Sequence, residues 1–287
     1  MNLLTQLQYV LPHHSLSQMM SVLTHSKNVT WKNLFIQQII RHYGVNMSEA
    51  ANPDLNAYPS FNDFFTRALK PGVRPIDQAR NSITSPADGV VSQAGAIVEG
   101  EIFQAKGKSF SAIDLLGGDA ERAQPFHNGL FTTIYLSPKD YHRLHMPLGG
   151  LLTEMVHIPG RLFSVNQATT ENVPGLFARN ERVACLFDTP AGPMALVLVG
   201  AIFVSSIETT WHGVVTPPTI ETVRNWRYSS NSETPVAEFE KGQEMGRFNM
   251  GSTIIVLFGK DAVEWQADFI AGKAVNMGEA IGRLASQ

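Results

Sequence analysis

The sequence predicts an α+β protein: an N-terminal amphipathic helical region followed by a compact β-rich core domain. Three observations predict it. Within the first 50 residues, apolar side chains recur at helical spacing. From about Ile83 onward, short apolar segments alternate with Gly, Pro and Asp-Gly turns. Between the two, residues 51–60 gather turn formers (Asn52-Pro53-Asp54, Asn56, Pro59-Ser60), which mark a linker. The chain therefore divides into residues 1–60 and residues 61–287.

The elements follow in order. Leu3, Leu4, Leu7, Val10 and Leu11 form one helical stripe that Pro12 interrupts; Leu16, Met19, Met20 and Leu23 form a second; Trp31, Leu34, Phe35, Ile39, Ile40 and Tyr43 form a third. Such faces either pack on a core or lie in a membrane interface. The first charged side chain is Lys27, which favours the interface, although the usual basic polar face is missing. An aromatic helix, Phe61 to Arg67, follows the linker and stops at Lys70-Pro71-Gly72. The strand segments are Gly89-Val90-Val91, Leu130 to Leu136, Leu151 to Ile158, Arg182 to Asp188, Ala195 to Ile207, and Thr253 to Phe258. One more helix is predicted after Tyr135: Ser137 suits an N-cap, Pro138 the first helical position, Asp140 the first turn, and Pro147 the end. His142 and His145, three apart, would share one face of it.

Bulk properties narrow the function classes. A chain of 287 residues, 44% hydrophobic and 16% charged, can bury a real core, and a formal charge of −3 gives no footprint for nucleic acid. The lone Cys185 cannot form an internal disulfide, fits a reducing compartment, and reads as a buried small hydrophobe. The longest apolar run, Met194 to Val204, is too short to span a bilayer, and the positive n-region of a signal peptide is missing. His142 and His145 lack a third ligand at metal spacing, so no metal is expected. His13 and His14, after the Pro12 break, read as solvent or interface residues without a role.

The chemistry-bearing feature is Gly251-Ser252-Thr253, set just before an apolar strand. A serine at a strand start, preceded by a residue with no Cβ, can bend back on its own peptide bond, so the chain is expected to cut itself between Gly251 and Ser252. Asp88, in the turn Ser85-Pro86-Ala87-Asp88-Gly89, and a histidine of the 137–147 segment join Ser252 to give the composition of a nucleophilic triad. An ordinary hydrolase would carry its serine in a Gly-x-Ser-x-Gly elbow; here the flanking positions are Met250 and Ile254. That counts against the alternative of a serine hydrolase without self-processing. A third reading is a non-enzymatic, membrane-bound β-barrel or binding module.

Five segments then carry a specific resemblance: Phe61 to Arg67 with Leu69-Lys70-Pro71-Gly72, Ser85 to Gly89, Tyr141 to Pro147, Val199-Gly200-Ala201, and Lys241 to Thr253. In these, in order along nearly the whole chain, it resembles bacterial phosphatidylserine decarboxylases of the proenzyme type. Met250 stands where the family's cleavage signature usually has Leu, a substitution that keeps volume and polarity. The resemblance implies Asp88, His145 and Ser252 as the self-cleavage triad, with Asp88 orienting His145 and His145 taking the Ser252 proton. Cleavage would leave fragments 1–251 and 252–287, which stay associated, and convert Ser252 to a covalent pyruvoyl group, the Schiff-base site for the amine of phosphatidylserine. No external cofactor is then needed. His142 is the candidate general acid for the decarboxylation step, and Arg67 with its aromatic neighbours would shape the mouth of the lipid site. The expected setting is peripheral, on the cytoplasmic face of the cell membrane, with a homodimer left open.

Overall fold

The computed structural model describes residues 3–203, 206–216, 222–228, 237–250 and 253–286. The three N-terminal stripes form helices α1 (Leu3–Val10), α2 (His13–Thr24) and α3 (Val29–Tyr43). Pro12 stands as the N-cap of α2; Asn28 caps α3 by accepting from the Trp31 N–H, and Gly44, left-handed at φ 71°, ends it. After the linker comes α4 (Phe61–Phe65), capped by Ser60.

The core is built almost entirely of antiparallel strands. The chain runs through β1 (Ser82–Thr84), β2 (Gly89–Ala96), β3 (Glu101–Ala105) and β4 (Lys108–Ser111), then α5 (Ala112–Leu115) and α6 (Ala120–Ala123). β5 (Leu130–Tyr135), β6 (Arg143–His145) and β7 (Gly150–Ile158) follow, then α7 (Gln167–Asn172) and α8 (Leu176–Arg179). The next strands are β8 (Arg182–Thr189), β9 (Gly192–Val199), β10 (Ser206–Thr209), β11 (Gly213–Val214), β12 (Arg224–Arg227) and β13 (Glu238–Phe239). The last are β14 (Glu244–Asn249), β15 (Thr253–Phe258), β16 (Val263–Trp265), β17 (Ala274–Val275) and β18 (Ala280–Leu284).

A large sheet runs in the order β12-β7-β8-β9-β15-β5-β2-β17, with β13 also paired to β7. Two smaller sheets, β11-β10-β14-β6 and β1-β18-β16, lie over one of its faces. There Ile134, Leu196, Leu198, Ile254, Val256 and Phe258 meet Ile83, Leu144, Ile207, Phe248 and Ile281. The other face, carrying Phe131, Val197, Val199, Ile255 and Leu257, is covered by the β3–β4 hairpin and the short helices through Ile102, Phe110, Leu115, Leu176 and Phe177. With both faces covered, β15 is buried at all six positions. This explains why it reads as a continuous apolar run rather than an alternating one. Cys185 is fully buried on β8, and burial pushes its thiol up.

The N-terminal helices dock in an unexpected way. The buried side chains of α2 are polar (His13, Ser17, Thr24), while Met19, Val22 and Leu23 face outward, Val22 at 73% exposure. The reason is that the partner of α2 is loop backbone with free hydrogen-bonding groups. The Leu162 N–H donates to His13 Nδ1 at 3.3 Å, His14 Nε2 donates to Gly160 O at 2.9 Å, and the Phe203 N–H donates to Ser17 Oγ at 3.2 Å. His13 is thus a buried docking residue, not an interface residue without a role; burial first, then the charge of Arg161, lowers it to about 4. A third cluster joins α3 to α4 through Ile36, Val45, Tyr58, Phe61, Phe64 and Phe65. Among the described residues, no helix is long and apolar enough to cross a membrane.

Candidate active site

Asp88 ends a buried turn in which Ser85 Oγ donates to Ala87 O at 2.7 Å. Its carboxylate receives Arg74 Nε at 2.9 and 3.0 Å, Arg74 Nη2 at 2.6 Å, and the Met277 N–H at 2.8 Å. Arg74 also donates to Glu49 Oε2 at 2.9 Å. Hydrogen bonding to Asp88, more than anything else, pushes the guanidinium further up. Sequence reasoning missed Arg74: it lies 14 residues before Asp88 in a non-repeating segment, and no motif spacing marks the pair.

His145 sits at the end of β6, opposite Glu244 of β14. Its backbone N–H donates to Pro86 O at 2.9 Å, tying the strand to the Asp88 turn. Its Nδ1 donates to Gly242 O at 2.8 Å, which leaves Nε2 as the lone-pair nitrogen, and the Tyr141 hydroxyl donates to it at 3.1 Å. Burial lowers the imidazole, against which the Gly242 carbonyl and, less strongly, the charges of Glu244 and Asp88 push up. No hydrogen bond joins Asp88 to His145: the carboxylate is held by Arg74, and Gly242 O takes the orienting position. Tyr141 and the Gly242 carbonyl were the other contributors without a sequence signal beyond lying in quoted segments.

The helix expected over residues 138–147 is absent. Asp140 Oδ2 accepts from both the N–H and the hydroxyl of Ser137, at 2.7 and 2.8 Å, and the Asp140 N–H donates to Ser137 O at 2.9 Å. The residues of a helix start thus close a turn, and β6 follows by pairing with β14. His142 and His145 therefore do not share a helical face. His142 is fully buried, with its ring stacked on Phe65 at 4.0 Å between centroids. Nε2 donates to Ser137 O at 3.1 Å, while Nδ1 has no partner. Burial, then the nearby Arg67 charge, lowers His142 to about 3, so the ring is neutral.

Gly251 and Ser252 lie outside the described residues, but both neighbours are placed. Met250, at φ 70°, packs against the aromatic cluster of α4. Thr253 pairs with Tyr135 of β5 and Val199 of β9, and Tyr135 also pairs with Val90. β2 and β15 therefore run parallel on either side of β5 and start at the same end of the sheet, about 10 Å apart. Gly89 is required at the start of β2, because a Cβ there would run into Tyr135 O. A cavity of about 300 Å³ opens at this end, lined in part by Asp88, Arg74, Arg67, Lys139 and Tyr141. No group of three or more His, Cys, Asp or Glu suited to a metal occurs among the described residues.

Comparison with known proteins identifies the family. The phosphatidylserine decarboxylase family model matches residues 61–283, and a second model, described as PSD, matches residues 3–44. A phosphatidylserine decarboxylase proenzyme of Marinobacter nauticus is 59% identical over 278 residues, covering 96% of each chain. Proteins of the same name from Ectopseudomonas mendocina and Pseudomonas putida are 58% and 59% identical over 275 and 278 residues, covering 96% and 97% of this chain and 96% of each relative. This chain is a decarboxylase and belongs to the phosphatidylserine decarboxylase family.

Proposed function

We propose that the chain decarboxylates phosphatidylserine to phosphatidylethanolamine and CO2, after cutting itself between Gly251 and Ser252 and converting Ser252 to a pyruvoyl group. The observation that carries the reading is the common sheet end where β2 begins beside Asp88, β15 begins at Thr253, and the His145 backbone is tied to Pro86. Asp88, His145 and Ser252 are the residues of self-cleavage. His145 Nε2, its lone pair oriented by the Nδ1–H bond to Gly242 O, takes the Ser252 hydroxyl proton as Tyr141 gives way. The Ser252 oxygen attacks the Gly251 carbonyl, and the N–C bond breaks in favour of an ester. β-Elimination releases the Gly251 carboxylate, and water displaces ammonia. The Asp88 carboxylate, fixed by Arg74 and the Met277 N–H, adds a weak negative potential that favours the protonated His145.

The site suits a pyruvoyl group: Thr253 Oγ1, one residue beyond Ser252, is buried without a hydrogen-bond partner and can donate to a carbonyl oxygen. That group supplies an electron-withdrawing carbonyl that takes up the electron pair released with CO2. The role of His142 is refined by its neutrality. Burial disfavours a charge on the ring, so His142 serves as general acid only while it transiently carries a proton, and its unpartnered Nδ1 is the nitrogen that would deliver that proton to carbon after CO2 leaves. Association of the fragments is supported by β15, β17 and β18, which pair with β5 and β9, β2, and β1 of the larger fragment. Docking on the cytoplasmic membrane face is supported by the outward Met19, Val22, Val29, Trp31 and Leu34, and by the absence of any carboxylate side chain before Glu49.

An intact-mass measurement under denaturing conditions tests the reading. It should show two polypeptides, the smaller blocked by pyruvoyl, and Ser252→Ala should leave one. A single uncut chain from native membranes would refute it. His142→Ala should cut itself more completely than it decarboxylates; equal loss of both would end the separate role of His142.

A further inference from the structure

Arg67 is the anomaly of the site. The residue is 4% exposed, just past the end of α4, with its guanidinium over the Phe64 ring at 5.3 Å. Nη2 donates to Lys139 O at 2.9 Å, but Nε and Nη1 are buried with no partner. No carboxylate lies within ion-pair distance of it among the described residues. The acidic groups lining the same cavity are committed elsewhere: Asp88 and Glu49 to Arg74, and Asp140 to Ser137. Lys139, exposed on the cavity rim, is likewise without an ion-pair partner there. A buried guanidinium with two unused nitrogens is costly, and persists where its donors await an anion that arrives later.

We propose that Arg67 is the phosphate-binding residue of the cavity, holding the anionic phosphodiester oxygens of the lipid headgroup, with Lys139 at the rim. This rests on the decarboxylase reading above. The lipid offers two anions, a carboxylate and a phosphodiester, and the chemistry separates them. The carboxylate loses its charge as CO2 departs, so a cation fixed on it would stabilise the ground state more than the transition state. The phosphodiester keeps its charge throughout and is shared by substrate and product. A forked donor beside a cavity suits its paired oxygens.

The test compares wild type, Arg67→Lys and Arg67→Gln with soluble dihexanoyl phosphatidylserine as substrate and dihexanoyl phosphatidylethanolamine as competitive inhibitor. Arg67→Gln should raise the KM for substrate and the Ki for product together, roughly 10- to 100-fold, with Arg67→Lys intermediate. A rise in KM with unchanged Ki assigns Arg67 to the headgroup carboxylate and overturns the proposal. So does unchanged KM with weakened association of fragments 1–251 and 252–287, which would assign it to the new Gly251 carboxylate. Self-cleavage by intact mass and thermal midpoints verify folding. A second arm needs no variant: product methylated at phosphate to a neutral triester should inhibit wild type at least about tenfold more weakly than the diester. Equal inhibition refutes the proposal. A wild-type chain that neither cuts itself nor releases CO2 overturns the underlying reading instead.

Discussion

Arg74→Gln probes the least expected contact of the site. The Asp88 side chain is 6% exposed and that of Arg74 14%. The substitution removes three contacts of 2.6 to 3.0 Å and leaves the carboxylate with the Met277 N–H. Breaking a fully buried pair from one side costs about 3–5 kcal/mol, whereas an exposed pair is worth about 0–1 kcal/mol. Solvent reaches Arg74 and its second partner Glu49, so the expected cost is about 2–3 kcal/mol. At roughly 2–4 °C per kcal/mol for chains of this size, the thermal midpoint should fall by about 5–10 °C. The measurement belongs in a Ser252→Ala background, where the chain stays whole. Adding Asp88→Asn closes a double-mutant cycle, because the cost of losing Arg74 should largely vanish once the buried charge is gone. A coupling below about 0.5 kcal/mol would refute the idea that Arg74 exists to compensate Asp88. In the cleavable background, Arg74→Gln should also slow fragment appearance on a denaturing gel.

Three further outcomes are expected. Unfolded histidines take a proton near pH 6.5, while folded His142 resists it until about 3, so its contribution leaves stability unchanged above pH 6.5 and lowers it below. At pH 5 this amounts to about 2 kcal/mol, and in a Ser252→Ala background the drop in thermal midpoint from pH 7 to pH 5 should shrink in His142→Asn; an undiminished drop refutes the burial argument. Gly89→Ala should cost about 1–3 kcal/mol or more through the clash with Tyr135 O and should delay self-cleavage; a wild-type midpoint would show that the β2 start can shift. Lys32→Met should loosen α3, because buried Nζ donates to Leu55 O and Tyr58 O at 2.9 and 2.7 Å; faster limited proteolysis within residues 51–60 reads this, and unchanged cleavage refutes it.

Much of the fold is written locally. Pro12, Asn28 and Gly44 punctuate the N-terminal helices, and the six-residue run of β15 announces a strand buried on both faces. What escaped the sequence depends on distant partners. Ser137, Pro138 and Asp140 suit a helix start and a closed turn equally; the pairing of Arg143 and His145 with β14, about a hundred residues on, decides for the turn and strand. The outward apolar side of α2 follows from the unpaired backbone of Leu162 and Phe203, which no periodicity in α2 encodes. At the site, Asp88 and His145 are legible as residue types in suggestive segments, but their orienting partners, Arg74 and Gly242 O, are supplied by tertiary structure.

The central position of β15 has a consequence for the life history of the molecule. In the uncut chain the strand is covalently attached to the β14 that precedes it, and folding is a unimolecular search. Under the proposed cut the same strand would belong to a separate 36-residue peptide (287 − 251) threaded through the middle of its partner's largest sheet. Recovery from complete unfolding would then be a second-order reaction that dilution slows, and the stability of the cut enzyme would be a matter of escape rate more than of equilibrium. On this account self-processing is also a ratchet: the uncut chain can correct a misfold, whereas the active one has a single passage into its native state.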